Sequence, residues 1–147
     1  MKSAFKILAL LLVILVSSCK KEIQEKQNKI ILLTKPSGWL TVKLETKGAN
    51  GAWNDITSNI NIFDADNLLI FDPFNVWAIN EGAIKLPGNG QVPIIGEWYF
   101  VDKETKIQLS QGGTDGNLLD IIELTETSLQ IIVVSNGVTN RYTYKHP

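Results

Sequence analysis

From Trp39 to Lys145 the apolar and β-branched residues come in short runs, each closed by a turn signal, and no long stretch keeps a helical period. Residues 39–45 alternate sides and read as the first strand. Lys47-Gly48-Ala49-Asn50-Gly51 is a turn-rich break. Residues 56–63 are ambiguous, because Ile56, Ile60 and Phe63 share a helical face over too short a length. Residues 67–71 and 76–80 are the next strands, joined by Asp72-Pro73-Phe74-Asn75, where Asn75 suits a positive φ. A long loop with Pro87-Gly88-Asn89-Gly90 and Pro93 follows. Residues 94–101 carry Trp98 and Phe100 on one face and turn through Asp102-Lys103-Glu104-Thr105 into residues 106–110. Residues 111–117 read as a flexible loop. Residues 118–124 and 128–134 form a hairpin. Asn136-Gly137 is the strongest turn signal, since a type I′ turn needs φ > 0 at both central positions. Residues 138–145 make the last strand.

These are about eight strands, joined mostly by hairpins and with no crossover helix. The class is all-β, an antiparallel meander. A meander must hide its two edges, and closing into a small barrel does so. The alternative is a two-sheet β-sandwich. An eight-stranded barrel has room for packed side chains or for one small ligand.

The start of the chain is of another kind. Lys2 and Lys6 precede an apolar run from Ile7 to Val16, then Ser17, Ser18 and Cys19, the only cysteine. The run is about half the roughly 20 residues that a spanning helix needs, so it reads as a targeting segment. The small residues before a lone cysteine resemble a bacterial lipoprotein signal, which implies lipid on Cys19 and membrane attachment through it. The expected organisation is a signal peptide over 1–18, the lipidated Cys19 and a flexible tether over 19–36, and one domain over 37–147. Lys20, rather than an aspartate, follows the cysteine. By the same resemblance that favours the outer membrane, with its periplasmic and its outer side both left open.

The domain is long enough to bury a core without metal or disulfide. The whole chain has a formal net charge of -1, and no basic stripe points to nucleic acid.

With anchor and strand order laid out, the chain resembles the lipocalin-like domain lipoproteins of Bacteroidota. The likeness runs from about Leu33 to Tyr144. It rests on Gly38-Trp39, the stretch Phe63-Asp64-Ala65-Asp66-Asn67 leading into Leu68-Leu69-Ile70-Phe71, Glu81-Gly82-Ala83-Ile84-Lys85-Leu86, Gly96-Glu97-Trp98, and Ile121-Ile122-Glu123-Leu124-Thr125 followed by Leu129. Two positions that are often cysteine in that family are Phe63 and Leu86 here, which implies an apolar contact between them in place of a cross-link. The resemblance implies a fold and no activity, since fold does not fix function.

Catalytic chemistry finds little footing. His146, the only histidine, lies one residue from the end, where a general base lacks a fixed position and an orienting partner. No histidine stands ready to activate a serine. Asp64, Asp66, Asn67 and Asp72 have the oxygens of a calcium loop without its full signature, and a polar turn is the expected reading. Glu97 with Glu123 is the one carboxylate pair weighed for glycoside hydrolysis, and solvent-facing acids are the expected reading. No catalytic residue, metal ligand or cofactor is assigned.

Of the four tryptophans, Trp39 and Trp98 alternate within strands and are expected in the core. Trp53, just past a turn, is expected exposed or at a rim, and Trp77 is divided evenly between core and rim. Trp53 and Trp77 are the candidate ligand-binding residues, beside the loop 87–93. The expected function is a lipid-anchored, non-enzymatic binding module of the cell envelope, holding a small, partly apolar ligand at the barrel mouth. The alternative is an accessory lipoprotein with a filled barrel that docks another envelope protein.

Overall fold

In a computed structural model, described over residues 29–85 and 94–147, the chain is all-β. Its strands are β1 (Trp39–Lys47), β2 (Trp53–Asp55), β3 (Leu68–Phe71), β4 (Val76–Asn80), β5 (Ile94–Val101), β6 (Lys106–Gln111), β7 (Thr114–Leu124), β8 (Ser128–Ser135) and β9 (Val138–Lys145). All pairings are antiparallel. From β3 to β9 each strand pairs with the next, and β1 pairs with both β3 and β9. Eight strands thus close into a barrel, and the short β2 lies beside β1, past the end of β3. The sandwich alternative is set aside by the β1–β9 and β1–β3 pairings, which leave no open sheet.

Closure depends on departures from regular pairing. The register slips between Thr41 and Lys43 in β1, between Gln108 and Ser110 in β6, and between Ile121 and Glu123 in β7. Such bulges sharpen twist and bend a strand, as a small barrel demands. Alternation then sends one row of side chains inward. Trp39 stands opposite Leu69, Phe71 opposite Trp77, and Trp98 opposite Leu109. Trp39, Phe71 and Trp98 are at most 2% exposed. The Trp98 ring meets Phe71 edge-on at 5.7 Å and Phe100 at 5.3 Å, the arrangement that aromatic quadrupoles favour. Tyr142 stacks on Tyr144 at 6.0 Å, and burial pushes the Tyr144 phenol far above its ordinary value.

One end of the barrel is plugged. In a meander the β3–β4, β5–β6 and β7–β8 turns share an end. A helical turn over 29–33 packs there, with Leu33 fully buried. Trp39 Nε1 donates to Leu33 O at 2.9 Å. Lys29 Nζ reaches Glu104 O in the β5–β6 turn at 3.0 Å, and Lys35 Nζ reaches Glu126 O in the β7–β8 turn at 2.9 Å. The expected tether therefore stops short of residue 36: from Lys29 on the chain is part of the packed domain, because Ile30 and Leu33 have apolar surface to bury.

The strand expectations meet three further corrections. Residues 114–117 belong to β7 and are not loop: Gly112 and Gly113, with φ of 60° and 76°, make the whole turn. Strand β2 carries too few residues to leave a period in the sequence. Residues 56–63 hold only a 3-10 turn, Thr57–Asn59. There Asp55 Oδ1 accepts from Thr57 N and Oγ1 at 2.9 and 2.6 Å, and Thr57 Oγ1 accepts from Leu44 N at 3.0 Å. The expected signal segment 1–18, Cys19, Leu86 and the loop expected over 87–93 lie outside the described residues, and with them the expected Phe63–Leu86 contact.

Candidate functional site

The two tryptophans singled out for binding part company. Trp53 sits on β2, half-buried, and its ring is taken by a cation: the Arg141 guanidinium lies 4.4 Å from the ring centroid and Lys47 Nζ 6.0 Å. Behind it, Glu45 is 5% exposed. Arg141 Nε donates to Glu45 Oε2 and Lys43 Nζ to Glu45 Oε1, each at 2.8 Å. Arg141 first and Lys43 second hold the Glu45 carboxyl below its usual range, and Glu45 in turn raises Arg141. Arg141 alternates with Tyr142 on β9, so this cluster lies on the outer face. Its job is to fasten β2 onto β1 and β9, with cation–π attraction added to the ion pairs.

Trp77 is not at a rim. It is 8% exposed, and its Nε1 donates to Ser110 O, two strands away, at 3.0 Å. The indole spans that gap because its partner on β5 is Gly96. A Cβ on Gly96 would stand 2.0 Å from Ser110 O and 2.5 Å from Trp77 Nε1. The glycine of Gly96-Glu97-Trp98 is thus the slot through which Trp77 crosses β5. The even division for Trp77 could have been settled by asking why a glycine stands mid-strand.

The end opposite the plug carries the longer connections and, among the described residues, two hollows. One, of about 330 Å³, lies on the outer face between Val76, Ile95, Glu97 and the Gly112-Gly113 turn. The other, of about 190 Å³, lies between the segment leading into β3 and the segment leaving β4. Phe63 lines it and forms part of its wall. Its exposure there is partial. Asp64, Asp66 and Asp72 spend oxygens on separate turns: Asp64 Oδ1 accepts from Asn67 Nδ2 at 3.2 Å, Asp66 Oδ2 from Ile84 N at 3.0 Å, and Asp72 Oδ1 from Phe74 N and Val76 N, each at 2.8 Å. Among the described residues no acidic, histidine or cysteine cluster has the make-up of a metal site.

The remaining candidates are dispersed. Glu97 on β5 pairs with Val76 and Ser110, and Glu123 on β7 pairs with Gln130, so no strand pairing brings the two carboxylates together. His146 is better fixed than a residue next to last should be. Its ring lies 3.8 Å from that of Trp39, and Nδ1 is 2.6 Å from Gly38 O and 3.0 Å from Ser37 Oγ. A carbonyl only accepts, so Nδ1 carries the proton. The His146 ring closes over Trp39 at the plugged end, and among the described residues no carboxylate orients it as a base.

Comparison with protein-family models, with curated proteins and with solved structures finds no match. The class that fold and site define is a small closed β-barrel, plugged at one end and furnished with surface hollows at the other.

Proposed function

We propose that this chain is a lipid-anchored accessory module of the bacterial outer membrane, acting without catalysis, whose filled barrel docks another envelope protein. The carrying observation is the interior itself: Trp39, Phe71, Trp77 and Trp98 are all at most 8% exposed and form one cluster along the barrel. Rings so placed occupy the space that a carrier keeps for its ligand. The outer face, by contrast, leaves Ile95 50%, Tyr99 40%, Ile122 53% and Val134 61% exposed, apolar surface of the kind that partners cover. The anchor reading rests on Cys19 and the apolar run before it, and the lipoprotein resemblance supports it.

One observation favours the carrier reading. Asn140 shares the inner face of β9 with Tyr142 and Tyr144 near the unplugged end, and its Oδ1 is buried without a partner. A small ligand with a donor group, held at the mouth, would satisfy it.

The test uses photo-crosslinking residues at positions 95, 99, 122 and 134 in living cells, with Cys19→Ser beside the unaltered chain. Docking predicts one discrete protein adduct from neighbouring positions, lost with Cys19→Ser as the chain leaves the membrane fraction. Adducts to lipid alone, or no change in fractionation with Cys19→Ser, would overturn the proposal.

A further inference from the structure

We infer that the pocket of about 190 Å³ at the unplugged end is a binding site for a single neutral sugar ring, the terminal residue of a glycan. The volume equals about six waters at ~30 Å³ each. That is small for the ~300–1,000 Å³ sites of larger ligands and on the scale of one six-membered ring with its hydroxyls.

The lining suits such a ring. Phe63 and Ile84 offer an apolar wall for its C–H face, and Asn61, Asp64, Glu81 and Lys85 surround that wall. Asn61 Oδ1 is spent on Phe63 N at 3.0 Å and Asp64 Oδ1 on Asn67 Nδ2 at 3.2 Å, which leaves the Asn61 amide hydrogens and Asp64 Oδ2 uncommitted among the described residues. The Glu81 carboxylate and the Lys85 ammonium have no partner among the described residues. Acceptors and donors thus stand on one rim, as a polyol requires, because each of its hydroxyls both gives and takes a hydrogen bond. Two carboxylates against one ammonium turn away phosphate and acidic sugars.

The walls are set before any ligand arrives. Asn67 Oδ1 accepts from Gly82 N at 3.1 Å, and Asp66 Oδ2 accepts from Ile84 N at 3.0 Å, lacing the two segments together. Gly82 lies so close that a Cβ there would stand 2.2 Å from Asp66 Cγ. A pocket held open in this way spends little binding energy on ordering itself. It lies outside the barrel interior, so a sugar bound there neither needs nor excludes a protein docked elsewhere.

The test is an amide NMR titration of the full chain, in a detergent without a sugar headgroup. The probes are methyl glycosides of neutral hexoses and N-acetylhexosamines, with methyl glucuronide and inorganic phosphate as anions. The inference expects saturable shifts confined to amides of 61–67 and 81–85 for at least one neutral glycoside, and none for the anions. Phe63→Ala weakens that binding about tenfold, or 1.4 kcal/mol, and Glu81→Gln weakens it by a smaller factor, with the thermal melt of Glu81→Gln unchanged. The inference fails if no neutral glycoside gives saturable shifts up to roughly 100 mM, about 100-fold above a 1 mM dissociation constant. It fails equally if the anions bind better, if the shifts lie elsewhere, or if neither variant changes the affinity.

Discussion

The two ends of the barrel are built on different terms. At the plugged end Leu33, Trp39 and His146 stack, and lysines from the 29–35 segment tie down two hairpin turns. Lys29, Lys35 and the Trp39 indole each spend a donor on a main-chain carbonyl there. At the other end stand the Gly112-Gly113 and Asn136-Gly137 turns, two hollows, the exposed Ile94 and Ile95, and carboxylates and amides with unspent hydrogen-bonding capacity. A barrel needs one end to hold its core, and the other is then free to vary its loops for recognition. Stability belongs to the first end and binding to the second.

Substitutions at each end break or sharpen this contrast. The largest effect is expected from Trp39→Ala, which removes a fully buried ring and strips Leu33 O of its donor. It should cost about 3–5 kcal/mol in denaturant unfolding, and a loss no greater than that of Phe63→Ala in the rim pocket would erase the distinction. Gly96→Ala comes next, at about 1–3 kcal/mol of overpacking. Its signature is a shift of the Trp77 indole N–H resonance as the bond to Ser110 breaks.

Glu45→Gln is expected to cost about 1 kcal/mol at neutral pH, since the cluster is partly solvated. The sign of its pH dependence follows from the lowered Glu45 carboxyl. The ion pairs stabilise the fold above the ordinary carboxylate range, and that share is lost as pH falls through the depressed folded value. Unfolding curves of the unaltered chain and the variant should therefore converge in acid. A gap that persists there would show packing, not charge, at work. The smallest effect is a gain. Asp102, Lys103 and Glu104 all hold positive φ without being glycine, so Lys103→Gly should stabilise by about 0.5 kcal/mol.

Much of the barrel was legible because its strands alternate. Trp39 and Trp98 declare an inward face by their spacing, and Asn136-Gly137 declares its turn. The legible part thinned wherever a few residues decide. Strand β2 is held by the Glu45–Arg141–Trp53 cluster, a contact across 96 residues of sequence between Glu45 and Arg141 that no local pattern announces. The helical turn at 29–33, Lys-Ile-Ile-Leu-Leu, is too short to show a helical period and folds because Leu33 has a barrel end to enter. Gly112 and Gly113 read as a flexible loop when they are a two-residue turn. The rim pocket is half visible in the sequence: Asp64, Asp66 and Asn67 read as a polar turn, but its second wall comes from 81–85, which only the β3–β4 pairing brings alongside.

The most direct test of the central claim is a titration of the full chain with an apolar fluorescent probe, read by energy transfer from the interior tryptophans. A filled barrel predicts no saturable transfer while the chain stays folded. One-to-one saturable transfer, abolished by an Asn140 substitution that leaves the melt unchanged, would show a ligand chamber and contradict the account.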